Sequence, residues 1–120
     1  MTTPTAMQLA MDWINAWTTG DLTLLKLAPD FSHTSPFGTI EGREKYLDII
    51  IPAAKQNVTR LEFQEIIADE NRAVIRFLAV GPDGTTPTSE WIYAENGEIK
   101  SIVSYYDQGS KRLATGEKSY

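Results

Sequence analysis

The chain has 120 residues, a formal net charge of −5 and apolar and charged fractions of 42% and 22%, which are ordinary values for one globular domain. It contains no cysteine and one histidine, which excludes disulfides, thiol chemistry and a multi-histidine metal site within one chain. Lysines and arginines are scattered, so neither nucleic acid nor an anionic lipid surface is an expected partner. Residues 1–9 do not resemble a signal peptide, and no apolar run approaches the ~20 residues of a membrane span. We therefore expect a cytoplasmic protein without a cofactor.

The first segment predicts an amphipathic helix. Thr3 can cap it, Pro4 suits the first helical position, and Gly20 suits the left-handed conformation that ends a helix. Between them the apolar residues recur at spacings of three and four, which predicts one buried stripe formed by Ala6, Leu9, Ala10, Trp13 and Trp17.

The next segment predicts short elements. Asp21 can cap a short helix over 22–27, and a short strand is expected over 31–34. Residues 35–38 read Ser-Pro-Phe-Gly, a typical turn. A further helix is predicted over 43–55, with a kink or break at Pro52.

The second half of the chain has the period-two pattern of strands. Four strands are predicted, joined as an antiparallel meander by turns that include Asn-Gly at 96–97: 58–68, 73–80, 87–94 and 98–107. The strand over 73–80 is apolar on both faces, and the helices can cover only one face. We therefore expect a second copy on the other face, giving a homodimer. We expect one domain over 1–120, with a core at about 5–107 and a flexible tail at 108–120.

No complete catalytic motif is present, so we consider single polar residues. Asp107 ends the last strand beside aromatic residues and is a candidate acid or base, although it can equally cap a turn. Glu90 shares the expected inward face with Ile92 and is the second candidate, with a structural pair to Arg76 as the alternative. His33 is the third, and its alternative is a hydrogen-bonded packing residue.

Aromatic residues on the predicted helices and strands can line an apolar cavity or form plain core. Together with two polar residues and one aliphatic residue, four of these aromatic residues form our expected ligand-binding set: Trp13, Trp17, Ser35, Tyr46, Arg76, Ile92 and Tyr105.

The order of elements resembles the SnoaL-like branch of the nuclear transport factor 2-like superfamily. The resemblance spans about 7–107 and rests on five short stretches: Ala-Trp-Thr-Thr-Gly-Asp at 16–21, Ser-Pro-Phe-Gly at 35–38, Gly-Arg-Glu at 42–44, Asn-Gly-Glu-Ile at 96–99 and Tyr-Tyr-Asp at 105–107. It implies an α+β fold in which helices pack on a cone-shaped, curved antiparallel sheet around a deep pocket, commonly dimeric through the sheet.

The enzymes of this superfamily match only in part. Relative to ketosteroid isomerase, Trp13 replaces the catalytic tyrosine, Ser35 replaces the base, and Glu90 lies near the second aspartate. Relative to limonene epoxide hydrolase, Asp107 matches the final aspartate and Arg76 lies near the arginine, while the remaining aspartate is missing. The two comparisons place different faces of the last strand in the pocket, so either face of this strand can be the inward one.

We therefore expect a cofactor-independent isomerase, hydrolase or cyclase that acts on a small apolar or aromatic metabolite. In this hypothesis Asp107, with Glu90 or His33, supplies acid–base catalysis, and Arg76 holds a polar group of the substrate. The alternative is a ligand-binding or dimeric scaffold protein without activity.

Overall fold

The computed structural model describes residues 3–107, which form two helices packed on a six-stranded, curved and unclosed sheet. The first helix is Ala6–Thr19, followed by a short 3₁₀ turn at Leu22–Leu24. The second helix is continuous over 43–54 and comprises Arg43–Lys45, a π-helical turn at Tyr46–Ile50 and Ile51–Ala54. The strands are β1 (Leu27–Ser35), β2 (Gly38–Glu41), β3 (Arg60–Ala68), β4 (Arg72–Gly81), β5 (Gly84–Glu95) and β6 (Glu98–Tyr106).

The first helix begins two residues later than predicted from its start signal. Thr5, rather than Thr3, is the cap: its hydroxyl accepts from the backbone N–H of Gln8, whose side chain accepts in turn from the Thr5 backbone. This reciprocal capping box satisfies two donors, which a Thr3 cap followed by proline would not do. The end at Gly20 is confirmed, with a left-handed φ of 79°.

The second helix passes through Pro52 without breaking. Proline has no N–H to donate to the carbonyl four residues earlier, and here a wider π turn precedes it, with the N–H of Ile51 bonded to the carbonyl of Tyr46. The short helix predicted over 22–27 is observed only as the 3₁₀ turn at Leu22–Leu24, because β1 already begins at Leu27. The Asp21 cap is confirmed by its bond from the Thr23 N–H.

The sheet has the order β2-β1-β6-β5-β4-β3. The predicted meander is confirmed as β3 to β6, and the predicted turn at 35–38 closes a β1–β2 hairpin. β1 pairs with β6 in parallel, which makes the sheet mixed. The α+β class, with helices packed on a curved sheet, is confirmed.

Alternation along the strands gives the sheet one covered and one uncovered face. The inner face lies under the helices and carries the core residues Ala73, Ile75 and Phe77. The outer face exposes the apolar side chains of Ile67, Trp91 and Tyr105. Within 3–107, no helix has both the length and the apolar character needed to cross a membrane. The predicted tail at 108–120 lies outside the described residues.

Candidate functional site

A cavity of about 450 Å³ lies between the second helix and the inner face of the sheet. Most of its wall is apolar, with side chains from the first helix, the second helix, β3 and β4. Polar side chains from β1, β5 and β6 form one section of the wall: His33, Thr88, Glu90 and Ser104. A mostly apolar cavity with a few convergent polar groups is the usual form of a small-molecule site.

Five side chains in this wall form a continuous hydrogen-bonded chain. The indole Nε1 of Trp13 lies 2.8 Å from Oε1 of Glu90, and Oγ of Ser104 lies 2.6 Å from Oε2 of Glu90. Nε2 of His33 lies 2.6 Å from the same Ser104 oxygen, and Nδ1 of His33 lies 2.8 Å from the hydroxyl of Tyr46. The shortest distance between His33 and Glu90 is 3.7 Å, from Nε2 to Oε2. We call these five residues the polar chain.

Donors and acceptors in the polar chain fit one arrangement. Trp13 and Ser104 donate to the two oxygens of Glu90, which therefore acts as a carboxylate. Ser104 then accepts from Nε2–H of His33, and the Nδ1 lone pair of a neutral His33 accepts from the Tyr46 hydroxyl. This tautomer is assigned from the hydrogen bonds. Both ring nitrogens of His33 and both oxygens of Glu90 are thus bonded within the protein.

Burial sets the protonation of the polar chain. Removal from water lowers the pKa of His33 below its usual 6.5, and the Glu90 carboxylate opposes this shift only in part. Burial also raises the pKa of the Tyr46 phenol well above 10, with the Glu90 charge as a smaller cause. At neutral pH the site therefore contains a neutral imidazole, a neutral phenol and, from the hydrogen-bond geometry, one carboxylate.

The fold explains how these residues meet. Glu90 on β5 is the register partner of Ser104 on β6, so both point to the inner face. His33 on β1 pairs with Ile102, two residues before Ser104, and alternation gives it the same face. Trp13 from the first helix and Tyr46 from the π turn approach these strand residues from the helix side. Their rings are stacked with centroids 6.1 Å apart and planes at 25°.

Seven of the residues predicted for the site line the cavity: Trp13, Trp17, His33, Ser35, Tyr46, Glu90 and Asp107. Asp107 has an exposed side chain and therefore lies at the rim, whereas Glu90 is 6% exposed and lies in the inner wall. The structure separates the three proposed catalytic residues into an inner pair, His33 and Glu90, and an outer carboxylate.

Three predicted ligand-binding residues do not line the cavity. Arg76 lies on the outer face, where it contacts Glu65 at 3.2 Å, so the expected pair with Glu90 does not form. The register explains this, since Glu90 lies opposite Ile75 rather than Arg76. Ile92 points inward as predicted but is fully buried in the core. Tyr105 is 60% exposed on the outer face.

A β-bulge explains why Tyr105 lies outside the cavity. The β5–β6 hairpin starts with Glu95 opposite Glu98, which would place Val103 opposite Glu90. The register shifts by one residue between Tyr93 and Ala94, and Ser104 takes that position instead. Because a one-residue shift exchanges the two faces of a strand, Ser104 and Tyr106 line the cavity. Nothing in the residue types signals this bulge, so Ser104 was missed.

The chain matches the SnoaL-like domain family over residues 10–102. It belongs to the SnoaL-like family. No curated protein matches the chain. Among residues 3–107 of this SnoaL-like protein, no group of three or more histidine, cysteine, aspartate or glutamate side chains is placed to hold a metal ion.

Solved structures share the fold at low sequence identity. A nuclear transport factor 2-like protein of unknown function from Cytophaga hutchinsonii is 22% identical, with a TM-score of 0.75 over 88% of this chain and 93% of that one. A Catenulispora acidiphila protein with a ketosteroid isomerase-like fold, solved with trimethylamine, is 20% identical, with a TM-score of 0.77 over 98% and 96%. IdmH of Streptomyces antibioticus, described as a candidate polyketide cyclase, is 17% identical, with a TM-score of 0.76 over 92% and 98%. These likenesses establish the fold.

Proposed function

We propose that this SnoaL-like protein is a cofactor-independent enzyme that moves a proton on a small, largely apolar metabolite, with His33 as the base. The observation that supports the proposal is the polar chain, in which a buried neutral imidazole lies between two hydroxyl groups with a carboxylate 3.7 Å away. A base that is neutral near pH 7 and a carboxylate that stabilises its protonated form are the usual parts of an acid–base site.

The polar chain suggests a route for the proton. The Tyr46 hydroxyl would take a proton from an acidic C–H next to a substrate carbonyl while passing its own proton to Nδ1 of His33. The imidazolium Nδ1–H would then donate to Tyr46, whose O–H can turn to the negative oxygen of the substrate. Return of the proton to another carbon completes an isomerisation. In a cyclisation the carbanion attacks a second carbonyl, and the proton held on His33 passes through Tyr46 to the alkoxide that forms.

Glu90 has a supporting role in this scheme. Its charge favours the imidazolium, and the donors Trp13 and Ser104 hold it in place. Asp107, at the rim, is the candidate for a second proton transfer, such as protonation of a leaving oxygen. An Asp107→Asn variant that loses turnover and keeps its melting temperature would support that role, and unchanged turnover would remove Asp107 from the scheme.

Deuterium exchange tests the proposal without knowledge of the product. Carbonyl-containing terpenoids, sterols and aromatic ketones would be incubated with the protein in D₂O and followed by mass spectrometry. We expect enzyme-dependent exchange next to the carbonyl of at least one compound and at least ~100-fold slower exchange with His33→Gln, the lower end of typical acid–base contributions. Thr34→Val, on the outer face of the same strand, is the matched control and should exchange at the wild-type rate. Equal rates for wild type and His33→Gln would contradict the proposal.

A binding protein without activity is the second candidate. The observation that favours it is that both nitrogens of His33 and both oxygens of Glu90 are already bonded within the protein. Fully satisfied polar groups of this kind rigidify a wall and need no reaction. A compound that raises the melting temperature and shows no exchange or turnover would support this candidate.

We further propose that the protein is a homodimer through the outer face of the sheet. This face exposes Ile67, Trp91 and Tyr105, and the half-buried Val74 lies between Ile67 and Trp91. Contiguous exposed apolar side chains of this kind mark interaction surfaces. The cytoplasm remains our proposed location, which agrees with a cysteine-free composition.

A further inference from the structure

The charged side chains of the cavity wall are of one sign. Three carboxylate residues line the cavity, and within residues 3–107 no lysine or arginine does: Asp83, Glu90 and Asp107. The Arg76 side chain, which we had expected to meet a polar substrate group, lies on the other face of the sheet against Glu65. Of the three carboxylate residues, Glu90 is the one in the inner wall whose bonded partners are all known, and a ligand there meets its carboxylate.

The Glu90 carboxylate is enough to make the inner wall of the cavity negative, without the two aspartates. Its side chain is 8% exposed and both oxygens accept hydrogen bonds from uncharged donors, so its charge is not cancelled by a cationic partner. Among the described residues that bond to Glu90 or lie within 4 Å of it, His33 is the group that could become positive, and its burial lowers its pKa and so favours the neutral imidazole. The side chains of His33 and Glu90 are 15% and 8% exposed, and charges interact more strongly at such buried positions than in bulk solvent.

The rest of the wall suits a cation as well. Six of the lining residues are aromatic: Trp13, Trp17, Phe37, Tyr46, Phe77 and Tyr106. Trp13, whose indole N–H donates to Glu90, is in edge contact with Trp17 at 6.1 Å and stacked with Tyr46 at the same separation, so the rings form one cluster that reaches Glu90 through Trp13. Aromatic faces attract organic cations, and cages of such rings are a known way to recognise quaternary ammonium groups.

We propose that the cavity selects a ligand that is largely apolar and carries a positively charged amine or quaternary ammonium group. This inference deepens the proposed function by naming the class of its substrate. The cation would lie near the Glu90 section among the aromatic rings, and the apolar remainder would lie against the second helix and β3. A neutral compound of the same shape would fit less tightly, and a carboxylate would be repelled.

A matched set of three benzyl alcohols tests the charge preference. The cation is 4-(trimethylammonio)benzyl alcohol, its neutral isostere is 4-tert-butylbenzyl alcohol, and the anion is 4-(hydroxymethyl)benzoate. We expect calorimetry to show that the cation binds about tenfold or more tightly than the isostere, as a partly desolvated cation–π and charge interaction requires. The anion should show no binding.

Two variants locate the source of the preference. Glu90→Gln should reduce the ratio between cation and isostere to about threefold or less, since the side chain keeps its size and loses its charge. Glu65→Gln removes an equivalent carboxylate from the outer face and should leave the ratio unchanged. The inference is wrong if the isostere binds as tightly as the cation, if none of the three binds, or if Glu90→Gln leaves the ratio intact.

The outcomes separate this inference from the proposed function. If the isostere binds best while His33-dependent deuterium exchange persists, the charge preference fails and the enzyme proposal stands. If the cation binds best and no compound is exchanged, the charge preference stands and the protein is a binder of organic cations.

Discussion

The inner and outer faces of this sheet show how position decides what a carboxylate can do. Glu90 and Glu65 lie on neighbouring parts of the same sheet, on opposite faces. Glu65 meets Arg76 with both side chains more than half exposed, a geometry worth about 0–1 kcal/mol. The Glu90 side chain is 8% exposed and is held by an indole N–H and a hydroxyl beside a buried imidazole. The pair on the outer face is an exposed ion pair in the single chain, whereas the inner face has the parts of a chemical site.

Stability should separate the two faces most clearly. Ile75 on the inner face is 0% exposed and Ile67 on the outer face is 63% exposed. Ile75→Ala should lower the free energy of unfolding by about 2–5 kcal/mol, because it leaves a cavity in the core. Ile67→Ala should change it by about 0.5 kcal/mol or less in the monomer. Urea denaturation at low protein concentration measures both, and equal losses would contradict the assignment of the faces.

Association should depend on the outer face alone. Trp91→Arg places a charge in the proposed interface and should weaken dimerisation by about 2 kcal/mol or more, as loss of a central aromatic residue does. Ile49→Arg is the matched control, since Ile49 is also an exposed apolar residue but lies on the second helix. Sedimentation should give twice the 13.4 kDa chain mass for wild type and Ile49→Arg, and a monomer for Trp91→Arg. A wild-type monomer at all concentrations would exclude the dimer.

The same two faces show what the sequence could predict. Period-two alternation and turn residues predicted the meander, and alternation placed Glu90 on the same face as Ile92, which was expected to be the inward one. The β-bulge near Ala94 was not predictable, because its cause lies in how two strands pair and not in their residue types. That single shift moved Ser104 into the site and Tyr105 out of it. His33 and Tyr46 were named separately, but their contact depends on the π turn.

Removal of the Glu90 charge should change the pKa of His33, whereas removal of the Glu65 charge should not. Glu90→Gln should lower the pKa of His33 further, because the Glu90 carboxylate is the charge that opposes the effect of burial. It should also cost about 1–3 kcal/mol of stability, since Trp13 and Ser104 lose part of a buried acceptor. His33 is the only histidine of the chain, so one imidazole signal in an NMR pH titration reports its pKa. A rise in this pKa, or an equal change with Glu65→Gln, would contradict the arrangement.

The smallest expected effect is the pH dependence of stability due to His33. Burial lowers its pKa in the folded protein below the usual 6.5, so between these two values the unfolded chain binds more protons than the folded one. Stability linked to His33 is therefore fully present above about pH 6.5 and is lost as the pH falls toward the folded pKa. Melting temperatures from pH 5 to 8 should fall on the acid side for wild type and change less for His33→Gln. Exposed aspartates with lowered pKa, such as Asp21 and Asp69, titrate below this pH range, so they do not contribute to the change in melting temperature that is assigned to His33. A wild-type profile as flat as that of His33→Gln would mean that water reaches the imidazole, and the inner wall would then lack the low polarity on which both the acid–base and the cation proposals depend.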